Sequence, residues 1–221
     1  MTDERLIDLD ETLRSMRDAG VRERRRAMLG KPHIAPLTAY AAKLRERGSV
    51  EVPDFDPLDG GVTARVLFLF EKPGPMTAEK GSARRPGSGF ISRNNDDPTA
   101  AATFHFMQQA GIPRQLTVTW NVVPWWNGNR KVTAAELREG VRCVRDLISL
   151  LPELCTVVMV GRKAAPAKSY LETTRLALSA SDHPSPLVRA SLPERWKAIP
   201  SQWAEVMTID ALPKSYDGEA E

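Results

Sequence analysis

Cysteine and histidine are both scarce in this sequence, and their scarcity limits the chemistry that it can support. Only two cysteines, Cys143 and Cys155, and three histidines occur among its 221 residues. The cysteine spacing matches no zinc signature, and two thiolates cannot hold an iron–sulfur cluster that needs four. We therefore expect no metal ion and no other cofactor, and we expect two buried thiols kept reduced in the cytoplasm.

A long apolar run and a strong excess of one charge are absent as well. No stretch approaches the roughly 20 apolar residues that cross a bilayer, and charged residues begin at position 3, so we expect neither a membrane span nor a secretory signal. The formal net charge of +3 favours a polyanionic partner only weakly. Four arginines between residues 22 and 26 form either a solvated helix face or a contact for such a partner.

The hydrophobic pattern separates three parts of the chain. Residues 1–60 predict helices and a polar, Pro-containing linker, residues 61–214 predict one compact domain, and residues 215–221 predict a frayed tail. Apolar runs in the middle part predict strands at residues 65–70, 116–121, 155–160 and 175–179. Helical patterns cover residues 98–109, 133–151, 162–171 and 194–207. Strands that alternate with helices indicate βαβ units and a largely parallel sheet covered on both faces.

Each predicted strand ends in a loop of unusual composition. The four loops are Glu71-Lys-Pro-Gly-Pro75, Asn121-Val-Val-Pro-Trp-Trp-Asn-Gly-Asn-Arg130, Gly161-Arg-Lys163 and Asp182-His-Pro-Ser-Pro-Leu187. Ligands of open α/β sheets bind at the carboxyl ends of the strands. We therefore expect the four loops to meet at one edge of the sheet and to form the functional site there.

Two of these loops carry side chains suited to recognition and catalysis. The prolines on both sides of Ser185 stiffen the last loop and fix His183 at its start, as a preorganised catalytic donor requires. The amide of Asn121 offers one acceptor and two donors, so it can pair with an N–H and a carbonyl oxygen of the same base. The alternatives are a structural histidine and an asparagine that caps its own loop.

The same loops resemble motifs of the uracil-DNA glycosylase superfamily. His183-Pro-Ser-Pro-Leu187 matches its His-Pro-Ser-Pro-Leu motif, and residues 121–130 are similar to the Asn-Val-Val…Gly-Asn-Arg stretch of its iron–sulfur-containing bacterial and archaeal members. Residues 70–75 resemble its strand-end motif for activating water, in the Gly-Glu-Ala-Pro-Gly form. Because the cysteines that surround the second motif in those members are missing here, the chain resembles a cluster-free relative.

The resemblance implies both a fold and an activity. It implies a three-layer α/β/α domain with a four-stranded, mainly parallel sheet. It also implies a DNA repair enzyme that flips deoxyuridine out of DNA and hydrolyses its N-glycosidic bond, leaving an abasic site. We expect the enzyme to be a cytoplasmic monomer that needs no cofactor and acts on single- or double-stranded DNA.

Roles for individual residues follow from the matched motifs. His183 would donate to the uracil O2 as negative charge develops there, and Asn121 would read N3–H and O4 and reject cytosine. Leu187 would enter the duplex in place of the flipped nucleotide. Phe90, in a glycine-flanked segment, would stack on the uracil, unless it is an ordinary buried phenylalanine. Glu71 would orient the water and stabilise the sugar, unless it is merely paired with an arginine.

The first loop departs from the family pattern in two places. Lys72 stands where better-known members have an aspartate, and Gly74 stands where they have the tyrosine that excludes thymine. We expect both residues to contact the substrate, without assuming that thymine is excluded. Asp96 and Asp97 are rivals to Glu71 for orienting the water. An alternative activity is covalent attack on the sugar or the abasic product by the amine of Lys72.

The remaining predictions concern the DNA and the pocket wall. The expected contacts to the DNA backbone are Ser185, Arg162, Lys163, Arg84 and Arg85. Trp125 and Trp126 would pack in the core or form a stacking surface for DNA. Asn94 and Asn95 are candidates for further hydrogen bonds in the pocket. A protein that binds abasic sites or damaged bases without cleaving them is the alternative from another functional class, and the missing aspartate supports it.

Overall fold

A computed structural model of the chain describes residues 10–48, 50–78, 85–172 and 175–209. Six strands occur in this part: β1 (Asp54–Phe55), β2 (Val66–Phe70), β3 (Phe90–Ile91), β4 (Thr117–Asn121), β5 (Thr156–Val160) and β6 (Ala177–Ser181). Four of them form the main sheet in the order β4-β2-β5-β6, and all of its pairings are parallel. The prediction of a mainly parallel four-stranded sheet is therefore confirmed.

The strands form because their sequences suit a sheet that is covered on both faces. Every residue of β2, β4 and β5 is buried, and these strands are rich in β-branched and other apolar side chains. The edge strand β6, Ala-Leu-Ser-Ala-Ser, is only partly buried, which explains why its signal in the sequence is weaker. The register places Phe70 opposite Asn121, so the first two strand-end loops begin side by side.

Helices cover the two faces of the sheet. They are α1 (Ala19–Ala27), α2 (Ala35–Arg45), α3 (Pro98–Gln109), α4 (Ala134–Ile148), α5 (Lys168–Leu171), α6 (Pro186–Ser191), α7 (Pro193–Lys197) and α8 (Ile199–Ile209). On one face, Leu37 of α2 and Val144 of α4 belong to a core with Trp120. On the other face, Phe106 of α3 and Trp203 of α8 pack with Phe68. The fold therefore has the three α/β/α layers that were predicted.

The predicted helix caps agree with the structure better than the predicted helix lengths do. The capping box between Thr133 and Glu136 is present at the start of α4, and Asp97 caps α3. The predicted helix over 162–171 is instead a 3₁₀ turn at Ala165–Ala167 followed by the short α5. The predicted helix over 194–207 is divided at Ala198 into α7 and α8, and α6 precedes them unpredicted.

The described part of residues 10–60 packs onto the rest of the chain. Ile34, Leu37 and Phe55 are fully buried in the same core as the sheet, and Phe55 stacks on Trp120 with ring centroids 3.7 Å apart. Strand β1, inside the stretch predicted as a polar linker, pairs with β3. This stretch is therefore part of the packed body. The division of the chain near residue 60 stays a prediction.

A buried network of charges fixes the segment that precedes the sheet. Asp56 is ion-paired with Arg25 and with Arg114, the latter at 2.6 Å, and Arg114 also binds Asp59 at 2.8 Å. The Arg25 side chain is completely buried. Neither predicted role of the arginines at 22–26, a solvated face or a polyanion contact, is therefore correct for Arg25. The sequence alone could not reveal this role because the partner carboxylate lies 31 positions away.

Candidate functional site

The four strand-end loops meet at one cleft, as the sequence predicts. The cleft has a volume of about 800 Å³ and lies at the carboxyl edge of the main sheet. Glu71 after β2, Asn121 at the end of β4, Gly161 after β5 and His183 after β6 all line it. The start of α3 and the region of α6 and α7 complete its walls.

His183 is held in the cleft wall by close packing. Its ring stands edge-on to Phe70, with centroids 5.6 Å apart and planes at 89°. Gly161, at φ +89°, lets the two loops touch, because an added Cβ there would lie 2.8 Å from the Cβ of His183. The Nδ1 atom is buried and has no hydrogen-bond partner among the described residues. The packing thus fixes the ring while one polar atom stays unpaired.

The imidazole of His183 is neutral over the physiological range. Burial, and then the positive charge of Lys163, lower its pKa from the ordinary 6.5 to about 4. A neutral ring has one N–H to donate and no charge of its own. His183 can therefore strengthen a hydrogen bond to an oxygen that becomes negative.

Asn121 brings a second unpaired polar atom to the cleft. Its side chain is buried, and its Oδ1 has no hydrogen-bond partner among the described residues. A buried carbonyl left unpaired costs roughly 1–3 kcal/mol, so a ligand that supplies an N–H is the expected partner. The predicted alternative, an asparagine that caps its own loop through Oδ1, does not fit this arrangement.

Glu71 faces the cleft but is paired with a lysine. The Nζ of Lys163 lies 2.8 Å from the Oε1 of Glu71, and the lysine side chain is 60% exposed while the carboxylate is 21% exposed. The predicted alternative role for Glu71 was an arginine pair, and the partner is instead a residue predicted to contact DNA. Because a partner on the rim can move, the carboxylate is accessible to a water or a ligand when the lysine binds elsewhere.

Lys72 does not have the free amine that covalent catalysis needs. Its Nζ donates to Glu136 Oε1 at 2.7 Å, and its side chain is only 2% exposed. Burial acts to raise the pKa of Glu136, but the hydrogen bonds from Lys72 and Thr133 lower it to about 2. The ion pair joins the first strand-end loop to the start of α4. Lys72 lines the cleft while its amine is bound to Glu136, so its contact with a substrate stays a prediction.

Gly74 and the two rival carboxylates differ in their access to the cleft. Gly74 lines it, and an added Cβ there would meet no atom within 4 Å, so the wall is open at this point. Asp96 is ion-paired with Arg85 at 2.6 Å and with Arg14 at 3.5 Å, and it does not line the cleft. Asp97 does line it, while its Oδ1 accepts the Thr99 and Ala100 N–H groups as the cap of α3.

Phe90 lies away from the cleft. Its side chain is 1% exposed and packs with Met16 and Val21, while the following residue, Ile91, lines the cleft. Successive residues of a strand point to opposite sides, so the two side chains of β3 cannot both face the cleft. The predicted stacking role of Phe90 is therefore corrected to a core role, which is the alternative that the sequence left open.

The mouth of the cleft combines cations with exposed leucines. Ser185, Leu187, Arg162 and Lys163 all line it, as expected for DNA contacts, and Leu187 is 75% exposed. The Oγ of Ser185 also accepts the Val188 N–H and caps α6. Three further residues line the rim and were not predicted as site residues: Arg130, Leu192 and Arg195. The Asn-Gly-Asn-Arg130 run could have indicated the first, and Arg195 lies within the helix predicted over 194–207. Leu192 directly follows α6, which was not predicted.

The remaining predictions for DNA contacts, stacking and the pocket wall have different outcomes. Arg85 pairs with Asp96 and does not line the cleft, and Arg84 lies outside the described residues. Trp125 packs against the main core, in agreement with the first of its two predicted roles. The backbone of Trp126 bridges to Glu51. Asn95 does line the cleft, whereas the amide of Asn94 binds carbonyls of the amino-terminal segment.

Comparisons with known proteins give a distant likeness to solved structures. No protein-family model matches the sequence, and no curated protein is significantly similar to it. A crystal structure of a mimivirus UNG variant in complex with UGI matches 73% of this chain and 68% of its own, with 17% identity and a TM-score of 0.40. At this distance the likeness does not assign an activity.

Two further structural features are absent from the described part of the chain. No group of three or more His, Cys, Asp or Glu side chains there is arranged to hold a metal ion. No described helix is long and apolar enough to cross a membrane.

Proposed function

We propose that the protein is a DNA glycosylase that hydrolyses the N-glycosidic bond of deoxyuridine after flipping the nucleotide into the cleft. One observation carries this proposal above the others. Glu71, Asn121 and His183, chosen from separate motifs, line one cleft, and two of them have unpaired buried polar atoms. Unpaired polar atoms are rare in folded proteins, and their presence in a cleft is typical of a ligand site.

Base recognition rests on Asn121. Its Oδ1 accepts the N3–H of uracil, and its Nδ2 donates to O4. Cytosine presents an unprotonated N3 and an amino group at the same edge, so both groups of the amide would face the wrong partner. Sites built to pair with a specific donor and acceptor reject such analogues strongly, because buried polar groups are left unpaired.

Bond cleavage rests on His183 and Glu71. The C1′–N1 bond breaks with its electron pair moving onto the uracil, and the negative charge at O2 is stabilised by the N–H of His183. The carboxylate of Glu71 orients a water and stabilises the cationic sugar. The oxygen of that water bonds to C1′, its proton passes to the surrounding water, and the uracil anion takes up one proton on release. Lys163 must leave Glu71 for this to occur, and a DNA phosphate is the natural competitor for its ammonium group.

DNA binding rests on the rim of the cleft. Arg130, Arg162 and Lys163 line the mouth and provide positive charge for backbone phosphates. The exposed side chain of Leu187, at the start of α6, is placed to enter the space that the flipped nucleotide leaves. This arrangement serves a substrate that must be unstacked before it reaches the cleft.

A protein that binds damaged DNA without cleaving it is the second candidate. The ion pair between Glu71 and Lys163 favours it, because a carboxylate held by a lysine does not orient water. The covalent mechanism is not favoured, because the amine of Lys72 is bound to Glu136 and its side chain is almost fully buried. The two remaining candidates are distinguished by the release of free uracil, which the glycosylase produces and a binding protein does not.

The test uses end-labelled oligonucleotides with one uracil, as single strands and as duplexes, and counts strand breaks after alkaline treatment. With the wild-type protein we expect breaks at the uracil position. We expect none in matched oligonucleotides that carry cytosine in place of the uracil. The matched control variant is Asn121→Leu, which keeps the side-chain size and removes the amide. Binding to uracil-containing DNA without uracil release would contradict the glycosylase and favour the second candidate.

A further inference from the structure

Two exposed arginines share one carboxylate outside the cleft. Asp96 is ion-paired with Arg14 through Oδ1 at 3.5 Å and with Arg85 through Oδ2 at 2.6 Å. The two arginine side chains are 42% and 56% exposed, whereas the carboxylate is 12% exposed. Because one negative charge faces two positive charges, a net positive charge remains at the surface. The guanidinium of Arg14 makes this ion pair but no hydrogen bond within the described part of the chain.

This arginine pair borders the rim of the cleft. Asp97, the residue after Asp96, lines the cleft. Burial raises the pKa of the Asp97 carboxyl, while hydrogen bonds from the first turn of α3 and then the charges of Arg130 and Arg14 act to lower it. Both guanidinium groups are therefore near Asp97, and Arg130 itself lines the cleft. Positive charge thus continues from the rim to Arg14.

The backbone presents Arg14 from a fixed position. Its φ is +58°, and among the described residues other than glycine it is the only one with a positive φ. Such a conformation persists only where surrounding contacts enforce it. The segment before Arg14 is tied to the loop that precedes α3, because the side-chain amide of Asn94 donates to the carbonyls of Glu11 and Thr12.

The chemistry of the arginine pair suits a phosphodiester backbone. Exposed ion pairs contribute little to stability, so a stronger acceptor replaces the Asp96 carboxylate at small cost. A guanidinium binds two phosphate oxygens at once through parallel N–H groups. A DNA strand has one phosphate for each nucleotide, so a strand held at the rim by Arg130 presents further phosphates beyond it.

We propose that Arg14 and Arg85 form a second phosphate-binding site, outside the cleft, for the DNA backbone that continues from the nucleotide in the cleft. In the free protein Asp96 holds the two side chains together, and in the complex it competes with the phosphate. The inference rests on the proposed function for the identity of the partner. It assigns a part in DNA binding to the amino-terminal segment, which does not line the cleft.

The test measures equilibrium binding to a duplex without uracil at a series of salt concentrations, so it does not depend on excision. The logarithm of the binding constant falls linearly with the logarithm of the salt concentration, with a slope of about 0.9 for each phosphate contact to B-DNA. We expect Arg14→Gln and Arg85→Gln each to reduce the slope by about that amount, and Arg14→Lys, which keeps the charge, to retain it. Asp96→Asn should bind the duplex more tightly, because it removes the competing carboxylate.

The matched controls are Arg142→Gln and Glu139→Gln, which alter an exposed ion pair of α4 that does not line the cleft. Both should bind the duplex like the wild type. An unfolded fraction scales every apparent affinity by one factor and leaves the slope unchanged. A wild-type slope in Arg14→Gln, or an equal loss in Arg142→Gln, would overturn the inference, and uracil release would still support the proposed function. A reduced slope in Arg14→Gln, with no uracil release by the wild type, would support the second site and overturn the proposed function.

Discussion

Two polar clusters of this molecule differ in how their groups are paired. In the network around Asp56, buried charges face opposite charges: Asp56 binds Arg25 and Arg114, and Arg114 binds Asp59. In the cleft, the buried Oδ1 of Asn121 and Nδ1 of His183 have no partner among the described residues. The first cluster joins segments of the chain through ion pairs, although the Nε of Arg25 has no hydrogen-bond partner in it. In the described part of the chain, the second cluster has no ion pair to these two residues and leaves both atoms unpaired.

The difference separates polarity that serves folding from polarity that serves a ligand. Removing one member of a buried ion pair leaves an uncompensated charge and destabilises the fold. Removing an unpaired polar atom eliminates its desolvation cost without breaking a bond, so stability should change little or rise. Variants in the two clusters should therefore separate folding from activity, and four predictions follow from the largest effect to the smallest.

The largest effect is expected for Asp56→Ala. The change leaves Arg25 and Arg114 buried without their shared carboxylate, and breaking such a pair typically costs about 3–5 kcal/mol. Equilibrium unfolding in urea measures the loss in the free energy of unfolding. A loss below about 1 kcal/mol, the value typical of an exposed pair, would contradict the assignment of this network to folding.

Asn121→Asp should reduce excision while the protein stays folded. A carboxylate cannot donate to O4 and repels the developing uracil anion, so we expect single-turnover uracil release to fall by on the order of 10²–10³. The free energy of unfolding, measured in parallel, distinguishes this loss from misfolding. A variant that releases uracil at near the wild-type rate would show that Asn121 does not read the base.

The pH dependence of excision reports the charge of His183. Because burial and Lys163 lower its pKa to about 4, the neutral ring persists well below the ordinary 6.5. The contribution of neutral His183 to the free energy of unfolding is complete above pH 6.5 and is lost as the pH falls through about 4. We expect the single-turnover rate to keep its His183 contribution down to about pH 5. In Lys163→Met the pH below which the single-turnover rate falls should be higher, because a positive charge that lowers the pKa of His183 is removed. An unchanged pH profile would contradict this effect of Lys163 on the pKa of His183.

Leu187→Ala should give the smallest effect, and one that depends on the substrate. A wedge is needed only where a stacked neighbour must be replaced, so excision from duplex DNA should fall several-fold more than excision from single strands. The ratio of the two rates, wild type against variant, is the measurement. Equal losses on both substrates would assign the leucine to general binding or packing.

The fold could be predicted from local patterns because the strands of the main sheet have distinctive sequences. Val66–Phe70 and Thr156–Val160 are continuous buried runs, and their short length and their β-branched and aromatic residues favour strands buried on both faces. The helix Pro186–Ser191 could not be predicted in this way. It has only six residues, which is too short for a periodic pattern to be visible.

The site was predictable where a residue follows directly from a strand end. Asn121 and His183 line the cleft, because the carboxyl ends of parallel strands meet at one edge of the sheet. The side-chain contacts of Phe90 and Lys72 could not be predicted, because they depend on partners distant in sequence. Phe90 packs on Met16, and Lys72 pairs with Glu136, so no local pattern around either residue contains the deciding contact.

The central claim is that unpaired polar groups of the cleft stabilise a departing uracil anion, and His183→Ala tests it most directly. The measurement is the single-turnover rate of uracil release from duplex DNA, with DNA affinity and the free energy of unfolding determined for the same preparation. We predict a rate lower by on the order of 10²–10³ with nearly unchanged affinity and stability, since one such donor contributes roughly 2.7–4 kcal/mol to the transition state. Release at the wild-type rate by the folded variant would contradict the claim.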